Sequence, residues 1–276
     1  MTLSFFAKPP SYARSNRHIL HGSSMIRAQQ ISEYLGAKLN PVDGYTNDVC
    51  IYVKPAWLGP EAKLAKKSYV DIVDGNELIG WLINNPDVSI IVVSDQNRKY
   101  LSDNFHPTNK VVLIPQHHCN YERIKRDRSK VFTVGNIGTP SSFMHSVDDF
   151  NDRLNNIGMT FVNYSAYRSR MDVVNFYKNI DIQVIYRRKK KILANPLRII
   201  NAASFGIPTI AYYEEAFNEM DGYYIPVRNI DEMAAKIEEL KNSPQLYAYY
   251  AKRGVKMAQE YHIDRIAKLY RKLDKD

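Results

Sequence analysis

Asn195–Ala211 reads NPLRIINAASFGIPTIA, and this stretch decides the fold. Pro196 suits the first turn of a helix, where its missing N–H costs nothing. The spacing predicts a helix over Leu197–Phe205, ended by Gly206, after which Pro208 opens a strand at Pro208–Tyr212. A helix closed by Gly and followed at once by a β-type run is the second half of a β-α-β unit, the unit of a parallel sheet. Arg198 falls in the first turn, where backbone N–H groups without intrahelical partners already attract anions and a guanidinium adds charge. The basic run Arg187–Lys191 lies just upstream, after a predicted strand at Asp181–Tyr186. Strand, basic loop and helix start together make a candidate diphosphate cradle built from Arg187, Lys191, Asn195 and Arg198. The competing reading is a solvated basic loop beside an ordinary packed helix.

The same alternation extends outward. In the first half, strands are predicted at Arg17–His21, Asp48–Val53, Tyr69–Val73, Val88–Val93 and Lys110–Ile114. Helices are predicted from Ser23 or Ser24 to Leu35, over Asn76–Ile83 and over Gln96–Asn104. Ser23 or Ser24 is the expected N-cap of the first helix and Gly36 its stop. Residues 116–130 are polar and basic without apolar period. Beyond them strands are predicted at Val131–Gly135 and Thr160–Val162, with helices at Val147–Asn155, Met171–Tyr177, Asp231–Leu240 and Pro244–Leu273, the last broken near Gly254. The expected architecture is α/β: two Rossmann-like parallel-sheet domains facing across a cleft. Residues 1–118 form the first, 119–130 the linker and 131–276 the second, with terminal helices crossing back.

The chain has 276 residues, enough for two such domains, and its 45% hydrophobic and 24% charged residues are those of a folded protein rather than a disordered one. Cys50 and Cys119 build no disulfide framework and no zinc pattern, so they read as reduced thiols. No run of roughly 20 apolar residues spans a bilayer, and the start carries no secretory pattern. The expected location is the cytoplasm, with a membrane face or a virus-infected host cell as its narrower forms. Thirty-eight Lys and Arg against 29 Asp and Glu leave a net charge of +9, which calls for an acidic partner: a nucleotide, a nucleic acid or an anionic lipid-linked glycan.

Ligands of open parallel sheets bind beyond the carboxyl ends of the strands, so residues just after strands are the candidates. In the first half these are Ser23, Ser24 and Arg27 for acceptor or phosphate contact, and Asp74 and His118 as general bases for an acceptor hydroxyl. Asp74 also reads as a helix N-cap and the His117–His118 pair as structural. No Asp-x-Asp metal pattern stands at a strand end, so the expected reaction needs no metal or other cofactor, its leaving-group charge being met by Arg and Lys. Of the 20 tyrosines, Tyr212, Tyr213, Tyr223 and Tyr224 are candidates to stack on a base or sugar. Tyr247, Tyr249, Tyr250, Tyr261 and Tyr270 read as packing residues.

The helix ending in Ala-x-x-x-Gly-x-Pro, followed by Glu214-Glu215, Gly222-Tyr-Tyr-Ile-Pro226 and Asn229–Met233, resembles the donor-binding half of GT-B glycosyltransferases, in particular the retaining group. Val131–Gly138 with Pro140 is similar to that domain's first strand and glycine loop. The helices from Ser243 onward are similar to its tail. The resemblance implies a nucleotide-sugar donor such as a UDP- or GDP-sugar, transferred to an acceptor hydroxyl of a glycan, a lipid-linked glycan or a modified nucleic-acid base. It implies donor contacts at Gly138, Asn201 and Glu215 besides the cradle. The group's paired glutamates fall on Leu193 and Asn201 in this chain. That departure keeps a second reading open, a non-enzymatic α/β protein that binds nucleotide or nucleic acid.

Overall fold

The computed structural model describes residues 2–8, 22–55, 63–126, 130–187 and 193–274. They divide into two compact units, and the chain passes between them more than once. The first unit holds the residues up to His117, the short stretch before Pro196, and the C-terminal stretch from Ile263. The second holds His118–Lys190 and Pro196–His262.

The first unit's sheet is β1 (Leu3–Phe6), β2 (Lys38–Leu39), β3 (Val49–Val53), β4 (Ser68–Asp71), β5 (Ser89–Val92) and β6 (Val111–Leu113), in the order β2-β1-β3-β4-β5-β6. Every pairing is parallel. β3 is buried along its whole length, as the continuous apolar run Val-Cys-Ile-Tyr-Val requires of a central parallel strand. The sequence reading missed β1, a buried LSFF flanked by a Pro-rich run. The strand expected at Arg17–His21 lies outside the described residues. A π-helical stretch Met25–Gln29 runs into α1 (Gln30–Leu35), which stops at Gly36 in the left-handed conformation (φ 64°). Ser24 is already helical (φ −61°, ψ −42°) and caps nothing through its side chain, because the helix begins at Gly22, whose carbonyl accepts from Ile26 N–H. α2 (Ile79–Ile83) follows a 3-10 turn at Asn76–Leu78. α3 (Asp95–Phe105) is capped by Ser94, whose hydroxyl accepts from Asn97 N–H.

The second unit has β7 (Thr133–Ile137), α4 (Val147–Asn155), β8 (Thr160–Tyr164), α5 (Arg170–Lys178), β9 (Ile182–Ile185), α6 (Leu197–Ser204), β10 (Thr209–Tyr212), β11 (Ile225–Val227), α7 (Ile230–Asn242) and α8 (Pro244–Ala258). Its sheet is also parallel, in the order β8-β7-β9-β10-β11. Numbered within their own unit, both sheets start 2-1-3-4-5, the doubly wound order whose ligand crevice lies between the first and third strands. Gly135 on β7 is there for packing: a Cβ would sit 2.6 Å from Ile180 and 2.7 Å from Phe176.

Two departures have clear physical causes. Residues 119–126, expected as linker, fold into the second unit. Asn120 donates to the carbonyls of Ile124 (2.8 Å) and Ser204 (2.9 Å). The fully buried Asp181 accepts from Arg126 Nε (2.9 Å) and from the N–H groups of Phe132 (2.7 Å) and Thr133 (2.8 Å). The terminal helix breaks at 259–262 rather than at Gly254, which lies inside α8. A Cβ there would meet Ala203 Cβ at 3.2 Å, so glycine serves close approach of α8 to α6. After the break, α9 (Ile263–Lys272) belongs to the first unit and buries Ile263, Ile266, Ala267 and Tyr270.

Arg27 corrects another expectation. It is not a surface contact for an acceptor but a fully buried strut of the first unit. Its Nε donates to Asp71 Oδ2 at 2.7 Å and its Nη1 to the Pro115 carbonyl at 2.7 Å. Tyr270 donates to the same carboxylate oxygen at 3.3 Å. Burial opposes the Arg27 cation, but the carboxylate outweighs it and holds the guanidinium above its usual value.

Two stability tests follow from these contacts. Asp71→Ala strands the Arg27 charge in the core and is expected to cost about 3–5 kcal/mol in urea unfolding, while Arg27→Met/Asp71→Leu together recover most of the loss. Retained stability in the single variant would mean that the pair does not hold the first unit. Gly135→Ala forces β7 and α5 apart and is expected to cost about 1–3 kcal/mol by the same measurement.

Candidate anion site at the β7–β9 switch point

The candidate site of the second unit grows from its strand order. β7 is flanked by β8 on one side and β9 on the other, so the connections leaving β7 and β9 diverge and leave a crevice at the carboxyl edge. α6 follows β9 and starts at Pro196 (φ −85°), as the sequence predicts, with Ile200 N–H closing on the Pro196 carbonyl. Arg198, one residue into the helix, points to the end of β7. Its Nη1 donates to Asn136 Oδ1 at 3.3 Å and to the Ile137 carbonyl at 3.2 Å.

These acceptors are neutral. The buried Asn136 is fixed from its other end, where Nδ2 donates to Asn163 Oδ1 at 2.8 Å and to the Ser142 hydroxyl at 3.1 Å. Gly138 leads the chain past the guanidinium. A Cβ there would lie 2.4 Å from the Ser142 hydroxyl and 2.7 Å from its Cβ, so a side chain would clash with Ser142. Burial, and then repulsion from Arg187, push Arg198 down to about 10.

Arg187 follows β9 directly and is anchored by a bidentate ion pair. Its Nε donates to Glu214 Oε1 at 2.6 Å and its Nη2 to Oε2 at 2.9 Å, and its guanidinium lies 5.4 Å from the Phe217 ring centre. Glu214 follows β10 and is buried, whereas its neighbour Glu215 is exposed. The carboxylate built into this region is therefore Glu214, one residue from the expected one. Alternation after a strand carried that signal, since consecutive residues point to opposite sides. Two guanidiniums thus share one carboxylate, and the excess positive charge belongs to Arg198.

The other expected residues are distributed as follows. Asn201 is buried on α6; its Oδ1 accepts from Cys119 N–H at 2.8 Å and its side chain also hydrogen-bonds Tyr177. Asn195 stands in the turn before Pro196, and Lys191 lies outside the described residues. His118 is buried, its N–H donating to the Tyr261 carbonyl at 3.0 Å and its Nδ1 accepting from Asn120 N–H at 3.2 Å. Of the four tyrosines offered for stacking, Tyr224 is buried, Tyr223 lies under Arg253, and Tyr212 packs against Tyr186. Tyr213 is 48% exposed beyond β10.

In the first unit, Asp74 lies beyond β4 and pairs with Lys54 Nζ at 2.8 Å, both side chains about one-third exposed. Lys54 and Val73 hold left-handed backbone (φ 46° and 50°), a conformation that a β-branched valine adopts only under constraint. Sequence reasoning passed over Lys54 because a lysine after a strand carries no backbone signal of its own. Among the described residues no three His, Cys, Asp or Glu side chains gather as a metal site, and no helix is long and apolar enough to cross a membrane.

No protein-family model and no curated protein matches the sequence. Solved structures do share the fold. The pneumococcal O-GlcNAc transferase GtfA, in complex with UDP and GlcNAc, is 15% identical with a TM-score of 0.56, over 84% of this chain and 53% of its own. Sucrose-phosphate synthase from Thermosynechococcus elongatus is 13% identical with a TM-score of 0.67, over 100% of both chains. Anabaena HepE, in complex with UDP and glucose, is 12% identical with a TM-score of 0.71, again over 100% of both. The chain spans about half the length of GtfA. With two parallel-sheet α/β units in this strand order, the chain has the fold of the GT-B glycosyltransferases.

Proposed function

We propose that this chain is a glycosyltransferase that moves a sugar from a nucleotide-sugar donor to an acceptor hydroxyl, with the donor held by the second unit. The observation that carries the reading is the Arg198 guanidinium, set at the switch point on neutral acceptors with a second guanidinium nearby. Such a cation is completed by an anion, and a diphosphate supplies two phosphoryl groups to the charge and to the first turn of α6. When the sugar departs, negative charge develops on the diphosphate, and a cation already in place lowers that barrier without reorganising. The UDP complexes of GtfA and HepE favour a nucleoside diphosphate. The cationic donor set favours leaving-group stabilisation by side chains, without a metal.

On the acceptor side the reading rests on the first unit's strand ends. Asp74 is the general base for the acceptor hydroxyl, and Lys54 positions its carboxylate. The net charge of +9 favours an acidic acceptor, a nucleic acid or a lipid-phosphate glycan. His118 takes no part in the proposed chemistry, since it is buried and its Nδ1 already accepts a backbone N–H.

Thermal unfolding with UDP-, GDP- and ADP-sugars tests the donor site. A bound donor at about 100 times its Kd adds about 2.7 kcal/mol of stability. Arg198→Ala is expected to abolish that shift while the variant keeps its far-UV circular dichroism; a shift that survives places the phosphate elsewhere. Slow hydrolysis of one donor separates the enzyme from a protein that only binds nucleotide. Asp74→Asn is expected to leave the donor-induced shift intact and to lower sugar transfer by about 10²–10⁴-fold. Unchanged transfer in that variant would remove Asp74 from the reaction.

A further inference from the structure

We propose that the outward face of α8 is a stacking platform for single-stranded nucleic acid. It is built from residues that the donor reading does not use, so the two readings stand or fall separately. From Pro244 to Gln259 the sequence carries no Asp or Glu, yet it holds Tyr247, Tyr249, Tyr250, Lys252, Arg253 and Lys256. Helical spacing sorts these residues. Tyr247 turns inward, its hydroxyl donating to the Asp181 carbonyl at 2.7 Å, and Tyr250 is partly buried against the core of the unit. Tyr249, Lys252, Arg253 and Lys256 stand at i, i+3, i+4 and i+7, share the outward face and are exposed, Tyr249 by 50%.

Arg253 is held in place on this face. Its guanidinium lies 5.2 Å from the Tyr249 ring centre and 5.2 Å from that of Tyr223, and its Nε donates to the Gly222 carbonyl at 3.1 Å. Gly222 is left-handed (φ 79°), so the turn that receives the arginine favours glycine. Tyr249 also meets Tyr250 edge-on, with ring centres 5.2 Å apart. Among the described residues Nη1 and Nη2 of Arg253 have no acceptor, and neither Lys252 nor Lys256 pairs with a carboxylate. Glu239, which acts on Tyr250 from α7, is paired with Lys236 at 2.7 Å; Asp221, exposed beside Gly222, subtracts one charge and leaves the surface cationic.

The cations call for an anionic partner, and the side chains between them say which. A lipid surface asks for large apolar side chains to bury, and the exposed residues of α8 include no Leu, Ile, Val, Met, Phe or Trp. A duplex would meet the cations but keep its base faces from Tyr249. A single strand offers both: phosphates to Lys252, Arg253 and Lys256, and base faces to a tyrosine ring already fixed by its neighbours, a contact that any base can make.

Fluorescence anisotropy of the intact chain with a short labelled single strand of mixed sequence tests this, with its duplex and vesicles of phosphatidylcholine and phosphatidylserine as competitors. The single strand is expected to bind about fivefold or more tightly than the duplex, and the vesicles not to displace it. Tyr249→Ala is expected to weaken the strand about fivefold or more, while Tyr249→Phe keeps the ring and the affinity. Lys252→Gln with Lys256→Gln is expected to flatten the slope of log affinity against log salt by about 1.4, at about 0.7 for each phosphate contact on a single strand. These variants change exposed side chains, and an unchanged far-UV circular dichroism confirms that a loss reports on binding. Equal affinity for strand and duplex, or a strand affinity untouched by Tyr249→Ala, would overturn the proposal, as would displacement by the vesicles or no binding to the folded protein. None of these results bears on the donor reading, which Arg198→Ala and the nucleotide-sugar shift decide.

Discussion

A guanidinium in a poorly solvated place needs a counter-charge, and among the described residues Arg198 donates to an amide oxygen and a main-chain carbonyl. The rest of the second unit can be understood from that constraint. The strand order places a switch point between β7 and β9, α6 starts there, and Gly138 lets the chain pass close to Ser142. Arg187 could have supplied a competing hydrogen-bonding cation, but Glu214 takes it bidentately and turns it into a fixed neighbour. The pair neutralises itself, so among the described residues Arg198 keeps a positive charge with no carboxylate paired to it.

The framework that carries this charge is held by polar stitches as well as by apolar core. Asp181, fully buried, gathers Arg126 and the N–H groups of Phe132 and Thr133, tying the entry segment to β9. Asn120 does the same for the turn before it and for the end of α6. Asp181 is useful here because several N–H groups converge on it, and Asn120 because its amide finds partners for both its N–H groups and its oxygen; with fewer partners each would be a liability. α6 is thereby fixed at both ends: Pro196 sets its start, and its last turn is bound by Asn120 and crossed closely by α8 at Gly254.

What the sequence made legible follows from this physics. Asn195–Ala211 announced helix, stop and strand because Pro196, Gly206 and Pro208 each restrict the backbone at a different place. Gly254 was misread because a glycine that permits close approach and a glycine that ends a helix are the same letter, and only the partner Ala203 separates them. β1 was hidden because four residues, three of them apolar, beside prolines carry no period long enough to score. Asn201 was read as a donor contact from the resemblance. Its commitment to Cys119 N–H depends on a segment 82 residues away, which local pattern does not report.

Arg27 and Arg198 show why position alone could not identify the site. Both arginines lie in helices that follow strands of doubly wound sheets, and both were candidates for phosphate contact, Arg198 as part of the cradle and Arg27 as a possible phosphate or acceptor contact. Arg27 meets Asp71 at 2.7 Å, with both side chains fully buried, and the ring of Tyr270 packs against it. That charge is spent on holding α1, β4 and α9 in one unit. Among the described residues Arg198 pairs with no carboxylate, and the carboxylate that acts on it, Glu214, is held by Arg187. An internal counter-ion makes Arg27 structural; the lack of one among the described residues at the carboxyl edge of the second sheet is what makes Arg198 the candidate. The difference lies in long-range pairing, which folding alone brings about.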